Sequence, residues 1–390
     1  MEAMLKFLLH LAAYLFALLS LCGLGYLCLS LWSELRYLAR RRRARLQPQS
    51  AFTPGISILK PLRGTDRQMY ESFRSHCLQD YPEFEIIFGV GSADDPAVAE
   101  VERLQREFPE RAIHLVLCPE VLGSNGKVSS LVQMMRRARY DFLLINDSDI
   151  LVSRDYLHRV VAPMADERVG LVTALYRAGS GSLASRMEAV TIATDFAGGV
   201  LCAMELDGGL RFGLGSTLAF RRKAAEAIGG LEALLDYLAD DHELGRMIAD
   251  AGYQLALADT VVETHLPAYG FGAMFQHQLR WARTIRDLRK LSYIGTLLTF
   301  GLPWALLAAL CAAGAPWSLA LLAAVAIARF ASGYILAGPI LGDRQAVRDL
   351  WLIPARDLTG LAIWFASFTG DTIVWRGERF HLKDGKLIRA

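Results

Sequence analysis

Tyr140-Asp141-Phe142-Leu143-Leu144-Ile145-Asn146-Asp147-Ser148-Asp149 is the stretch on which the fold turns. Its apolar core lacks polar alternation, which predicts a strand buried on both faces. Two carboxylates follow at once, where the chain must leave the sheet. Upstream, Gly55–Leu62 reads as a strand ending near a proline, Phe84–Val90 as a second and His114–Leu117 as a third. Helical patterns fill residues 66–79, Ala97–Phe108 and 128–138, the last preceded by the glycine-rich loop Gly123-Ser124-Asn125-Gly126-Lys127. Strands alternating with helices predict an α/β domain with a parallel-rich central sheet and helices on both faces. Ligands of such sheets bind at the carboxyl ends of the strands, where Asp147 and Asp149 stand.

The composition limits what such a domain can do here. Lys plus Arg is 42 against 40 Asp plus Glu in 390 residues, a net charge of +2 that argues against a nucleic-acid partner. Hydrophobic residues reach 53%, but the 21% of charged residues is too many for a chain built only of membrane spans. The six cysteines show no CxxC and no zinc spacing, so they read as reduced structural thiols.

The apolar excess is localised. Phe7 to Trp32 is a 26-residue run without a charged side chain, long enough for a retained anchor and too long for a signal peptide. Arg40-Arg41-Arg42-Arg43-Ala44-Arg45 follows, which puts that side in the cytoplasm. Lys290 to Arg329 encloses a second charge-free stretch, expected to form a hairpin turning at Gly314-Ala315-Pro316, with a second arm from Trp317 to Leu341. Arg329 lies inside that arm as a functional candidate or as a snorkelling side chain. Leu358 to Val374 is a further span or a re-entrant segment; only the second keeps the basic tail (Arg376, Arg379, Lys383, Lys386, Arg389) inside. The expected division is an anchor over residues 1–35, a cytosolic domain over 36–290, membrane segments over 291–375 and a tail over 376–390.

Three places carry candidate chemistry. With 22 aspartates, about one DxD arises by chance; position gives Asp147-Ser148-Asp149 its value. Hard divalent cations bind through one or two carboxylates plus substrate phosphates, although a turn or a helix cap also suits Asp and Ser. Ala239-Asp240-Asp241-His242-Glu243 opens a helix, where an aspartate can cap or can take a proton from an acceptor hydroxyl. Gln276-His277-Gln278-Leu279-Arg280-Trp281, with Arg283 and Arg286, can anchor the chain at an interface or clamp a diphosphate.

In this order the three elements resemble one family, the ceramide glucosyltransferases of glycosyltransferase family 21, including a bacterial branch with a hopanoid-biosynthesis glycosyltransferase. The likeness runs from Ile58-Leu59-Lys60-Pro61-Leu62 to Trp375-Arg376-Gly377. It implies a membrane-anchored, inverting transferase with a GT-A nucleotide-sugar-binding domain, a UDP-sugar donor, Mg2+ or Mn2+, and a membrane lipid as acceptor. It implies that Asp147 and Asp149 hold the metal, that Asp241 is the catalytic base, and that Arg280 and Trp281 are the catalytic pair of the (Q/R)xxRW motif. On the donor side it places Lys60, Asn125 and Lys127. The family's early aspartate aligns with Ser92, leaving Asp94 to hold the nucleoside, and His277 stands at the first position of the last motif. Residues 187–204 are apolar but broken by Asp195, a core helix or a membrane face that admits the lipid, and Phe212-Gly213-Leu214-Gly215-Ser216-Thr217 resembles the acceptor-side loop. The expected enzyme is an integral protein of a bacterial inner membrane with its catalytic domain in the cytoplasm. A processive polysaccharide synthase and an inactive transferase fold are the alternatives.

Overall fold

The computed structural model describes residues 1–46, 51–66, 68–375 and 378–389. Arg376 and Gly377, at the end of the family likeness, lie outside the described residues. The chain forms two compact units, both discontinuous in sequence. One holds Met1–Ala44, Ser180–Cys202 and Ala268–Glu378; the other holds Arg45–Gly179, Ala203–Pro267 and the segment from Arg379. Within the stretch 36–290, residues 180–202 and 268–290 group with the apolar helices.

The second unit is built on a seven-stranded sheet. Its strands are β1 (Ile56–Leu62), β2 (Phe84–Val90), β3 (Ala112–Leu117), β4 (Phe142–Ile145), β5 (Val169–Gly179), β6 (Leu218–Arg221) and β7 (Gln254–His265), in the order β3-β2-β1-β4-β6-β5-β7. Only β6 runs antiparallel to its neighbours. The unbroken apolar runs are explained by burial on both faces. Ile58, Ile86 and Leu144 belong to one core cluster, while Leu59, Ile87, Leu143 and Ile145 belong to the other. The pairing Leu59↔Ile145 aligns the ends of β1 and β4, so Lys60 and the Asn146–Asp149 turn emerge at the same carboxyl edge.

In the first unit, three helices are long and apolar enough to cross a membrane: Glu2–Arg45, Leu183–Leu206 and Pro316–Ile340. The pair Lys290–Thr299 and Gly301–Cys311 is bent by 51° and makes a fourth crossing if it counts as one span. The first helix has 44 residues, about 66 Å, so it continues beyond the bilayer core through the arginine run. Gly23 permits its close crossing with Gly301, where a Cβ would come within 2.3 Å of the Gly301 Cα. Helix Ile353–Ser367 has 15 residues, about 22 Å, and a full crossing by it fails on length.

Arg329 does not snorkel. It is buried and paired with Asp195 and Asp357, each at 2.9 Å. Arg356 closes the ring, 2.6 Å from Asp195 and 2.9 Å from Asp357. Asp195 sits on a π-helical turn, Ile192–Phe196, that interrupts the apolar helix.

Candidate active site

The turn after β4 is fixed from below. Asn146 is fully buried; its Nδ2 donates to the Tyr156 hydroxyl at 2.9 Å and to the Ser216 carbonyl at 2.6 Å. The Lys60 ammonium, also fully buried, donates to the Asp147 carbonyl at 3.0 Å. Burial pushes Lys60 down to about 7, partly offset by Asp149 and Asp147. Lys60 therefore supports the DxD turn from behind.

Asn125 is buried as well. It caps the helix Gly126–Met135, with Oδ1 accepting from the Lys127 and Val128 amides at 3.0 and 3.2 Å. Its Nδ2 donates to the Tyr237 carbonyl at 2.7 Å, and none of the side chain is exposed. Its role is to aim Lys127, whose ammonium lies 2.8 Å from Asp147 Oδ1 and 3.4 Å from Asp240 Oδ2. Burial alone would lower Lys127, but Asp147 and Asp240 carry it well above the ordinary lysine range.

Asp240 and Asp241 open the helix Asp240–Asp250, and Ala239 occupies the cap position, so neither aspartate serves as the cap. Burial pushes the Asp240 carboxyl up to about 6; Lys127 opposes this, and Asp241 and Asp147 add to it. Because this value exceeds the unfolded one, the folded protein holds more protons between about pH 4 and pH 6. The stabilisation is present below that window and is lost as pH rises through it. Asp240→Asn is expected to flatten this slope, read as thermal midpoints at pH 4.5 and 6.5.

Gly215 joins the base candidate to the metal candidate. A Cβ there would lie 2.9 Å from Asp241 Oδ2 and 3.7 Å from Asp147 Oδ2, so both carboxylates face the same glycine. Gly215→Ala is expected to displace Asp241 and lower kcat by up to about 100-fold while leaving the thermal midpoint nearly unchanged. Equal loss of both would show a packing role only.

Asp149 accepts a hydrogen bond from the Thr264 hydroxyl. Burial raises its pKa; Thr264 opposes the shift and Asp147 reinforces it. Asp94 lies exposed after β2, its amide donating to Ser92 Oγ at 3.2 Å. Its neighbour Asp95 ties down the loop, accepting from the Gly64 amide at 3.0 Å and the Ala97 amide at 2.9 Å. As a metal site, Asp147 and Asp149 supply two oxygen donors. Among the described residues no cluster of three or more His, Cys, Asp or Glu can hold an ion. Four carboxylates (Asp147, Asp149, Asp240, Asp241) against Lys60 and Lys127 suit a hard cation that arrives with donor phosphates rather than one caged by protein.

The motif residues of the other unit form their own group. His277, Arg280 and Trp281 lie on the helix Phe271–Leu288 at i, i+3 and i+4 spacing, hence on one face. The fully buried Glu188 accepts from the Tyr269 hydroxyl, and one of its oxygens lies 2.6 Å from His277 Nδ1. Burial lowers Arg280, with Glu188 opposing. Arg283 donates to the Thr372 carbonyl at 2.6 Å and Arg286 to the Gly370 carbonyl at 2.9 Å, so both brace the chain after the helix Ile353–Ser367. Asn146, Asp240 and Glu188 carry no individual role in the sequence reading. A lone glutamate in the apolar run 187–204 was the available signal for the last.

The family model for glycosyl transferase family 21 matches residues 15–388. The chain belongs to this family. It is a glycosyltransferase. Ceramide glucosyltransferase 3 of Caenorhabditis elegans is 25% identical over 352 residues, covering 86% of this chain and 74% of its own length. Ceramide glucosyltransferase 1 of the same organism is 25% identical, with 64% of this chain and 56% of its own length covered. A solved mannosyltransferase from Pyrobaculum calidifontis, in complex with GDP-Man and Mn2+, aligns over 90% of this chain and 97% of its own with a TM-score of 0.51 and 20% identity. At that identity it speaks for the fold. The sheet unit of the transferase is a GT-A domain, and the apolar helices associate the transferase with a membrane.

Proposed function

We propose that this glycosyltransferase moves a hexose or N-acetylhexosamine from a UDP-sugar to the hydroxyl of a membrane lipid, ceramide-like or hopanoid, with inversion. What carries the reading is that the Asp241 and Asp147 carboxylates both approach Gly215, 2.9 and 3.7 Å from where its Cβ would stand. The ceramide glucosyltransferase relatives and the membrane helices support the lipid acceptor.

In this reading Asp241 accepts the proton of the acceptor hydroxyl as its oxygen attacks the anomeric carbon. The bond from that carbon to the diphosphate oxygen breaks, and UDP departs. Asp147 and Asp149 would hold Mg2+ or Mn2+, which when bound neutralises charge developing on the leaving diphosphate. Lys127, fixed by Asn125, orients Asp147 and adds a positive charge; Asp94 is proposed to hold the nucleoside. Arg280, Trp281 and His277 keep the roles the family motif implies, a cation and rings for the diphosphate and donor. The arginine run after the first span supports a cytoplasmic catalytic unit at a bacterial inner membrane.

The test is mass spectrometry of lipids from a host that makes both sphingolipids and hopanoids, expressing the wild type or Asp241→Asn. A new hexosyl or N-acetylhexosaminyl lipid made only by the wild type is expected and names both substrates. Polymer in place of glycolipid would overturn the reading in favour of a synthase.

A further inference from the structure

The segment from residue 378 onward reads as a basic tail by composition but folds as an antiparallel β-hairpin. Strands Glu378–Lys383 and Lys386–Arg389 pair in the register Lys386↔Lys383 around Asp384 and Gly385. Both turn residues have positive φ, 52° and 78°, as a two-residue type I′ turn requires. Phe380, Leu382 and Leu387 share one face of the hairpin and are buried, and the segment from Arg379 groups with the sheet unit.

Its second strand adds to the segment Asp236–Leu238. The Leu387 amide donates to the Asp236 carbonyl at 2.8 Å, and the Leu238 amide donates to the Gly385 carbonyl at 3.1 Å. Tyr237 and Lys386 bridge between these bonds, with the ammonium 5.3 Å from the ring centre. The other edge of the same segment holds the Lys127 loop. The Asn125 amide donates to the Leu235 carbonyl at 2.7 Å, its side chain to the Tyr237 carbonyl at 2.7 Å, and the Ser124 amide to the Asp236 carboxylate at 3.0 Å. Two residues beyond Leu238 stand Asp240 and Asp241. Residues 235–238 thus lie between the hairpin and the loop that aims Lys127, and they lead straight into the base.

We infer that the hairpin is a positioning strap for the catalytic carboxylates: by strand addition to Asp236–Leu238 it sets the place of Asp240, Asp241 and Lys127. The inference rests on the proposed function. Without the strap the segment loses two backbone hydrogen bonds and the Lys386 contact with the Tyr237 ring. Asp241 then wanders by more than transfer tolerates, while the DxD turn, fixed separately by Asn146 and Lys60, stays in place.

The test uses the full-length protein in detergent with two substitutions in the turn. Gly385→Val places a β-branched residue at positive φ and should loosen the hairpin; Gly385→Asn tolerates that conformation and should behave as wild type. Hydrogen exchange of the peptide containing the Leu238 amide reports whether the strap has detached. Expected for Gly385→Val is faster exchange there, a kcat lower by about tenfold or more, a donor KM within about threefold and a nearly unchanged thermal midpoint. A second variant, deletion of residues 378–390, should speed exchange at Leu238 and lower kcat further, with a lower midpoint because Phe380, Leu382 and Leu387 leave the fold, so the midpoint criterion applies to Gly385→Val alone. Fast exchange at Leu238 with wild-type kcat would overturn the strap alone. Losses spread equally over kcat, KM and midpoint would make the hairpin a general stabiliser and also overturn it. A wild-type chain that transfers no sugar to any lipid would instead sink the functional reading, with Leu238 protection intact.

Discussion

Asp241→Asn is expected to cut kcat for glycolipid formation by about 10²- to 10⁴-fold, the range for removing a positioned general base. The substitution is nearly isosteric and keeps an oxygen for the 2.8 Å bond that Asp241 Oδ1 accepts from the His242 amide, so the helix start should survive. Binding of UDP should change little, because Lys127, Asp147 and Asp149 are untouched. A large fall in kcat with an unchanged nucleotide Kd marks a group that acts on the acceptor proton. A parallel loss of nucleotide affinity would assign Asp241 to the donor pocket instead. The 2.9 Å approach of Asp241 to the ideal Cβ of Gly215 makes the companion Gly215→Ala experiment a check of the same placement from the opposite side.

Arg329→Leu carries the largest stability effect. It leaves Asp195 and Asp357 to share Arg356, in a ring whose partners lie mostly away from solvent. Removing one partner of a buried ion pair costs about 3–5 kcal/mol. The thermal or denaturant midpoint of the full chain in detergent should fall accordingly. Replacing Arg329 and Asp357 together by leucines should recover a substantial part of the loss, because the carboxylate stranded by the single change is gone. A single variant as stable as wild type would show that the ring is not under load, and additive single and double effects would show that the two residues do not act through each other.

Local order was readable in the sequence and long-range pairing was not. Phe84–Val90 is a strand over the very residues expected, and the DxD falls just past β4, because both follow from apolar runs bounded by polar residues. The helix after the glycine-rich loop begins at Gly126 rather than at residue 128, since Asn125 caps it. The hairpin at 378–389 carries its own signal in Asp384-Gly385, a turn pair set among basic residues. Arg329 could not be resolved, because its partner Asp195 lies 134 residues away and nothing local encodes that meeting. For the candidate site, residue types at strand and helix ends pointed to Asp147, Asp149 and the Asp240-Asp241 pair, and only the family resemblance singled out Asp241. What Lys60 and Asn125 do depends on burial, which the sequence does not state.

Strand β5 ends at Gly179 and β6 begins at Leu218, and between them the chain runs through Leu183–Leu206, a helix apolar enough to enter a bilayer. Two adjacent strands of one sheet are therefore separated in time of synthesis by a long apolar helix, which cannot cross a membrane on its own while both strands stay in that sheet. A nascent chain must keep that apolar segment shielded until β6 can close between β4 and β5. Excising residues 46–290 as a water-soluble fragment would carry the segment along without its lipid, and the fragment should aggregate. Replacing 180–202 by a short polar linker is the excision with a chance of leaving the sheet intact.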